Sequence, residues 1–184
     1  MKKILLYLVP LLLLLGIISC EKVKPIENIN LNYNTQLVTE KVEEIKNCHF
    51  AKLKGWSELD SEANPALDDL FLPEEKYNSI YFYSNTDKSG LIIITSYSSV
   101  IEAQLRELEA TADLENLISQ EKFNFNDKNY YQYMFKKDGF IILSVLVDLG
   151  NRSSIKLDYT IKEDKYSEHA KEIETLLASL SLFN

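Results

Sequence analysis

The sequence predicts an α+β domain in which an antiparallel β-sheet is packed by a middle helix and a C-terminal helix. Three observations predict this class: aromatic and β-branched runs separated by short turn sequences, a helical spacing of apolar residues in the middle of the chain, and a second helical spacing near its end. Gly90, Gly139 and Gly150 fall at predicted turns, so local preference and overall pattern agree.

The first predicted hairpin pairs residues 77–83 with residues 91–97 across a glycine-containing turn. A middle helix follows, because apolar residues recur at spacings of mostly three and four between Val100 and Ile118. The charged residues between them are typical of a solvated helix face. Residues 37–45, upstream of the hairpin, fit either a short helix or a strand.

A three-stranded antiparallel meander is predicted next, at residues 130–135, 140–147 and 154–161. Asp138-Gly139 joins the first two strands and is a favoured tight-turn dipeptide. Apolar and polar residues alternate in the third strand, which predicts one buried face and one wet face. Ser167 is predicted to cap a C-terminal helix that covers the sheet. The apolar stripe of that helix comprises Ala170, Ile173, Leu176, Leu177 and Leu180.

The first nineteen residues have the layout of an export signal. Lys2 and Lys3 precede an apolar run that contains Pro10 and is shorter than the roughly 20 residues of a membrane-spanning helix. The run ends in Ile17-Ile18-Ser19-Cys20, which resembles the bacterial lipobox. This resemblance implies cleavage before Cys20, a thioether-linked diacylglycerol on that cysteine and usually a further acyl chain. An ordinary secretory signal with an incidental cysteine is the alternative.

We therefore expect three regions: a signal peptide at 1–19, a lipid-anchored flexible tether at 20–39 and a single α+β domain at 40–184. The tether is predicted because residues 21–36 mix Asn, charge and one proline without a sustained period. Two or more acyl chains anchor a protein stably. The expected location is the bacterial cell envelope outside the cytoplasm. Inner and outer membranes are both open, and the outer membrane is preferred.

The charge of the chain argues against nucleic acid and anionic lipid surfaces as partners. The formal charge is −8, and loss of the signal's two lysines makes it −10. The longest basic run is Lys136-Lys137, which Asp138 follows immediately. A nucleic-acid interface needs clustered positive charge, which this pattern does not provide.

Residues suited to catalysis or metal binding are few. Once Cys20 is lipidated, Cys48 is the remaining thiol, and a buried structural role is favoured over a nucleophile. Its neighbour His49 would point to the opposite face of a strand. His169 is interpreted as part of a solvated helix face. Since no nucleophile elbow, phosphate-binding glycine loop or zinc-ligand spacing is present, we assign no catalytic residue, metal or cofactor.

Three stretches resemble PsbP/Mog1-like domains, which also occur in bacterial lipoproteins. They are Leu53-Lys54-Gly55-Trp56, residues 130–147 and residues 173–180, within a resemblance of pattern that covers approximately residues 48–183. The resemblance implies an α/β/α sandwich and a binding or assembly-accessory role. It transfers no site residues.

Tyrosines crowd the predicted strands, where they can stack on sugars or peptides or simply pack with the hydroxyl towards water. Packing is the more common role. If a binding site exists, we expect it at the tryptophan and one face of the tyrosine-rich hairpins. The candidate binding residues are Trp56, Tyr81, Tyr83, Tyr131 and Tyr133.

The preferred functional hypothesis is a non-enzymatic, lipid-tethered accessory or binding domain that contacts an envelope protein or a small ligand. The alternative is a hydrolase of envelope glycan or peptide that uses acidic loop residues, and an immunity-type lipoprotein that neutralises a toxin is a third possibility. The acidic residues available to a hydrolase are Asp60, Glu62, Asp68, Asp69, Glu74 and Glu75. A weak calcium contact at Asp68 and Asp69 is less favoured than a solvated loop.

Overall fold

The computed structural model describes residues 27–45, 48–59, 78–111 and 114–182, which form a mixed α+β fold. The strands are β1 (Glu27–Asn28), β2 (Val38–Ile45), β3 (Cys48–Leu53), β4 (Trp56–Glu58), β5 (Ser79–Asn85), β6 (Gly90–Tyr97), β7 (Leu117–Phe125), β8 (Lys128–Lys137), β9 (Phe140–Gly150) and β10 (Ser153–Lys162). The helices are α1 (Ile101–Thr111) and α2 (Tyr166–Leu182). The predicted α+β class, with a middle and a C-terminal helix, is confirmed.

Eight of the described strands form one sheet in the order β1-β7-β8-β9-β10-β6-β5-β4. Neighbouring strands are antiparallel except for β1 and β7, which are parallel. The strands β2 and β3 form a separate antiparallel hairpin. Residues 38–45, whose structure the sequence left open, are therefore a strand.

Two-residue turns join β7, β8, β9 and β10. Asn126-Asp127, Asp138-Gly139 and Asn151-Arg152 each have positive φ at both positions. This backbone geometry matches the right-handed twist of paired strands. The predicted Asp138-Gly139 turn is confirmed. The last turn begins later than the predicted end of the second meander strand at residue 147 implies, because β9 continues to Gly150.

The predicted middle helix is too long, because α1 ends at Thr111 and residues Leu117 and Ile118 belong to β7. Their spacing continued the helical period, and a period of apolar residues does not by itself separate a helix from the start of the next strand. As a result, the meander has four strands rather than three.

The inner face of the sheet is the face that packs against α2 and the β2–β3 hairpin. The residues Ile155, Leu157, Tyr159 and Ile161 of β10 point to this face and have no exposed surface. Most of the predicted stripe of α2 is buried against them, but Ala170 is exposed. Ser167 is the second residue of α2 rather than its cap, since the helix begins at Tyr166.

Polar contacts fix α2 to the hairpin and the sheet. The backbone N–H of Ala51 donates to Ser179 Oγ at 3.0 Å. Near the helix C-terminus, Lys128 Nζ donates to the carbonyl of Leu180 at 3.3 Å and Tyr130 OH donates to the carbonyl of Leu177 at 3.3 Å. The last four carbonyls of a helix have no partner within it, so Lys128 supplies a donor to the Leu180 carbonyl, which the helix itself leaves unpaired.

Part of the segment predicted as a tether is attached to the domain. Glu27 and Asn28 pair with β7, and the N–H of Ile29 donates to the carbonyl of Asn124 at 3.1 Å. The backbone N–H and side-chain amide of Asn32 both donate to Glu174 Oε1 at 2.9 Å. Contact with the domain therefore begins well before residue 40.

No helix in the described ranges is both long and apolar enough to cross a membrane.

Candidate functional site

The outer face of the sheet, opposite α2, carries two rows of side chains that cross strands β7 to β10. Each row takes one residue from each strand, as the strand registers require. The first row is Lys122, Tyr131, Leu146 and Lys156. The second row is Gln120, Tyr133, Ser144 and Asp158. Helix α1 packs on this face, because Glu109 of α1 reaches Tyr133.

An ion pair that is about three-quarters buried lies at the β10 end of these rows. Lys156 Nζ is 2.9 Å from Asp158 Oδ2, and the two side chains are 24% and 20% exposed. Ser144 Oγ donates to the other oxygen of Asp158 at 2.5 Å. The predicted wet face of this strand is thus largely covered. Because burying an ion pair seldom stabilises a fold more than apolar packing would, stability alone does not explain these residues.

The β7 end of the rows forms an aromatic and polar surface, here called the outer patch, made of Glu109, Gln120, Lys122, Tyr131 and Tyr133. Gln120 Nε2 donates to the hydroxyl of Tyr133 at 3.0 Å, and that hydroxyl donates to Glu109 Oε1 at 3.1 Å. Burial and the nearby Glu109 carboxylate raise the pKa of Tyr133 to about 12. The ammonium of Lys122 lies 4.7 Å from the centre of the Tyr131 ring.

The outer patch offers both charge signs beside aromatic surface. Glu109, Gln120 and Lys122 are exposed, and Tyr131 is half-buried. The Tyr133 ring is buried, and its hydroxyl is held by partners on both sides. The patch can therefore form hydrogen bonds and ring contacts with little reordering of its own side chains.

The other three candidate binding residues lie on the inner face. Trp56 and Tyr83 are each 4% exposed and belong to the hydrophobic core. Tyr81 is half-buried, and its hydroxyl donates to the carbonyl of Glu44 at 3.1 Å. The five predicted residues are thus divided between the two faces, with Tyr131 and Tyr133 together on the outer one.

The inner aromatic cluster leaves little space for a ligand. A cavity of about 10 Å³ lies between β3 and the sheet, with Phe50, Trp56 and Tyr83 in its wall. That volume is close to the minimum for one water molecule. Packing therefore accounts for the aromatic residues of this face.

His169 is covered rather than solvated, which corrects its interpretation as part of a solvated helix face. Its side chain is 16% exposed, and its Nδ1 atom is 2.6 Å from Glu172 Oε2. Its ring meets Trp56 edge-on with ring centres 6.1 Å apart. In the described part of the chain, no three His, Cys, Asp or Glu side chains are grouped as metal ligands.

Cys48 is a buried thiol, as predicted. It has no exposed surface, and its Sγ atom is 3.4 Å from the carbonyl oxygen of Leu180. Burial raises the pKa of this thiol to about 11, so it is not an activated nucleophile. His49 is half-exposed on the neighbouring position of β3.

Two groups of predicted residues lie outside the described ranges. Cys20, the proposed lipidation site, is one of them. The others are the acidic residues between 60 and 75, on which the hydrolase alternative depends.

Sequence reasoning did not select Ser144, Lys156 or Asp158. The alternation of β10 places Lys156 and Asp158 on one face, and the two-residue turn at Asp138-Gly139 places Ser144 opposite Tyr133. Both signals, the alternation and the turn, can be read from the sequence. The pairing of Asp158 with Ser144 also depends on a register shift at Ser153/Ser154, which the sequence did not reveal.

The described residues define an α+β protein with a mostly antiparallel sheet and a polar, tyrosine-bearing outer face. No protein-family model matches the chain, and no curated protein matches it. A solved structure from Bacteroides thetaiotaomicron VPI-5482 is similar over 72% of this chain and 43% of its own chain, with 15% identity and a TM-score of 0.45. The Pseudomonas aeruginosa protein of unknown function PA94 is similar over 76% of this chain and 94% of its own, with 10% identity and a TM-score of 0.44. Since both TM-scores lie below 0.5, the functional argument rests on the residues of this chain.

Proposed function

We propose that this protein is a non-enzymatic accessory or binding domain, lipid-anchored through Cys20 in the bacterial envelope and in contact with an envelope protein through its outer patch. At a finer level of fold, we propose that the domain is PsbP/Mog1-like. The anchor is supported by the lipobox-like residues Ile17-Ile18-Ser19-Cys20 behind a signal-like apolar run.

The observation that carries the binding role is the outer patch itself. Exposed Lys122, Gln120 and Glu109 surround two tyrosines on a surface that a regular sheet holds rigid. Tyrosine is enriched at protein interfaces because it has a large apolar ring, a polar tip and few rotatable bonds. A rigid surface of this kind loses little conformational entropy when a partner binds.

The polar contacts of the outer face favour binding over catalysis. Asp158 is the carboxylate closest to Ser144, but its two oxygens are already engaged by Ser144 and Lys156. A small ligand in place of a protein partner is the second candidate, because Lys122 and Gln120 offer donors beside the Tyr131 ring.

The anchor is tested by expressing the full chain and its Cys20→Ser variant in bacteria. The intact mass of the natural protein is expected to fit cleavage before Cys20 with diacylglycerol attached, and the protein is expected in the membrane fraction. The variant should lose both properties. A membrane-bound Cys20→Ser protein with an uncleaved N-terminus would instead show that the apolar run is the anchor.

The partner surface is tested with a photo-crosslinking amino acid at one position of the anchored protein. At Lys122 we expect a discrete crosslinked envelope protein, and at Arg152, in a turn remote from the patch, we expect none. Tyr131→Ser should remove the Lys122 crosslink while leaving the fold intact by circular dichroism. Equal crosslinking at both positions, or persistence in the Tyr131→Ser variant, would contradict a role for the outer patch.

A further inference from the structure

A polar cleft lies between α2 and the segment that precedes β2, on the side of the sheet opposite the outer patch. Its volume is about 470 Å³, which is within the range of small-molecule sites. Sites of that size are usually lined by apolar side chains, whereas most of this wall is polar. Its polar residues include Asn32, Asn34, Gln36, Lys171, Glu174 and Thr175.

Hydrogen bonds between the two segments fix the frame of the cleft. Glu174 Oε1 accepts from the backbone N–H and the side-chain amide of Asn32, both at 2.9 Å. Thr175 has no exposed surface, and its Oγ1 atom accepts from the backbone N–H of Asn34 at 3.4 Å. A ligand therefore meets walls that are already ordered, which lowers the entropy lost on binding.

Other polar groups of the cleft are available to a ligand. Within the described ranges, the ammonium of Lys171 and the side-chain amide of Gln36 have no partner, and both residues are exposed. Asn34 Oδ1 accepts from the N–H of Gln36 at 3.0 Å, which leaves the NH₂ group of Asn34 as a donor. Asn32 uses one oxygen of Glu174, and the other oxygen can accept. The cleft therefore presents donors and acceptors side by side.

This chemistry favours a neutral ligand with several hydroxyl groups. A hydroxyl both donates and accepts a hydrogen bond, and so does a carboxamide side chain. Lys171 and Glu174 give the wall one charge of each sign, so it has no excess charge to attract an ion. Tyr33, half-buried in the wall, adds ring surface on which the C–H face of a sugar can pack. A saccharide matches all three properties.

We propose that the cleft between residues 32–36 and α2 binds a neutral saccharide. The amides of Asn34 and Gln36, the ammonium of Lys171 and the free oxygen of Glu174 contact its hydroxyl groups. This site goes beyond the proposed function, because it depends neither on the Cys20 anchor nor on the outer patch. A saccharide in the cleft and a protein on the outer patch do not compete, since the two sites lie on opposite sides of the sheet.

The site is tested by NMR titration of the isotope-labelled full chain in a detergent without a sugar headgroup. The probes are maltotriose and N,N′-diacetylchitobiose, which are neutral saccharides, and succinate as a charged comparison. Lys171→Ala and Gln36→Ala remove exposed side chains that have no partner in the described ranges, so both variants should fold. Lys162→Ala is the matched control, because this exposed lysine does not line the cleft.

With at least one saccharide we expect saturable shifts at millimolar concentration, centred on the backbone amides of Asn32, Asn34 and Lys171. Each cleft variant should weaken this binding by about fivefold, as the loss of one hydrogen bond predicts, and Lys162→Ala should leave it unchanged. The proposal is overturned by an absence of shifts with both saccharides, by shifts centred on the outer patch, or by equal weakening in Lys162→Ala. Tighter binding of succinate than of either saccharide overturns it as well.

Discussion

The indole N–H of Trp56 donates to Glu172 Oε2 at 3.1 Å, and the same oxygen lies 2.6 Å from His169 Nδ1. One carboxylate of α2 therefore fixes the tryptophan at the start of β4 and a histidine one helical turn away. The Trp56 ring also packs on Tyr159, with ring centres 5.3 Å apart. This contact fixes the position of α2 relative to the edge of the sheet that β4 forms.

Trp56→Phe is predicted to lower the free energy of unfolding by about 1–3 kcal/mol, because it removes a hydrogen bond to a charged group and leaves part of the indole volume empty. Urea denaturation measures the change. Glu172→Gln keeps an acceptor near the indole and is the matched control, with a smaller expected loss. An unfolding free energy unchanged by Trp56→Phe would show that the contact is not stabilising.

Gly90→Ala is predicted to destabilise the domain by about 1–3 kcal/mol through overpacking. A Cβ at this position would lie 2.8 Å from Ile161 Cδ1 and 2.8 Å from Trp56 Cη2. Gly139→Ala is the contrasting variant, because Gly139 has a φ of +79° and a Cβ there would meet no atom within 4 Å. Any stability that Gly139→Ala loses therefore comes from backbone strain alone. Thermal denaturation measures the stability loss of both variants. Adding Trp56→Phe should recover part of the loss caused by Gly90→Ala and none of the loss caused by Gly139→Ala.

Asp158→Leu alone is predicted to destabilise the domain by about 1–3 kcal/mol, because it leaves the three-quarters-buried Lys156 without its partner. The double variant Lys156→Met, Asp158→Leu should recover most of that loss, since apolar residues can replace a buried ion pair. Urea denaturation of the single and double variants measures the coupling. A double variant as unstable as the single one would mean that the loss comes from the Ser144 contact instead.

Cys48 is predicted to resist alkylation at pH 8 in the folded protein, because a pKa of about 11 leaves roughly one thiol in a thousand ionised. Mass spectrometry after iodoacetamide treatment measures the modification, and protein unfolded in urea is the control. The folded pKa is raised above the ordinary value of 9.0. The folded state therefore keeps its proton longer than the unfolded state, and this thiol lowers stability as the pH rises from 9 towards 11. Rapid alkylation at pH 8 would contradict the burial.

The amides of Ile29 and Asn32 are predicted to exchange slowly with solvent, because each donates a hydrogen bond to the folded domain. Hydrogen exchange with mass spectrometry or NMR measures this protection. Glu174→Ala should speed exchange at Asn32 more than at Ile29, whose acceptor is the backbone of Asn124. Fast exchange at both amides in the natural sequence would contradict the attachment and agree with the predicted flexible tether up to residue 39.

The sequence was informative wherever the structure follows from neighbouring residues. The Asp138-Gly139 turn, the alternation of β10 and the apolar spacing from Ile173 to Leu180 each depend on local backbone geometry, and each is present in the fold. The boundary between α1 and β7 was wrong because Leu117 and Ile118 continued a helical spacing. Only pairing with β8 makes those residues a strand.

The sequence by itself determined the α+β class, the buried state of Cys48 and the tight turn between β8 and β9. Tertiary structure decided that Trp56 and Tyr83 are core residues while Tyr131 lies on the outer face, and that the attached chain begins near Glu27. It also decided that Ser144, Lys156 and Asp158 meet. The physical reason is the separation of the interacting residues along the chain. Turns and periodicity are encoded by residues a few positions apart. Which faces are covered, and which polar groups become partners, depends on strand registers and helix packing between residues far apart in the chain.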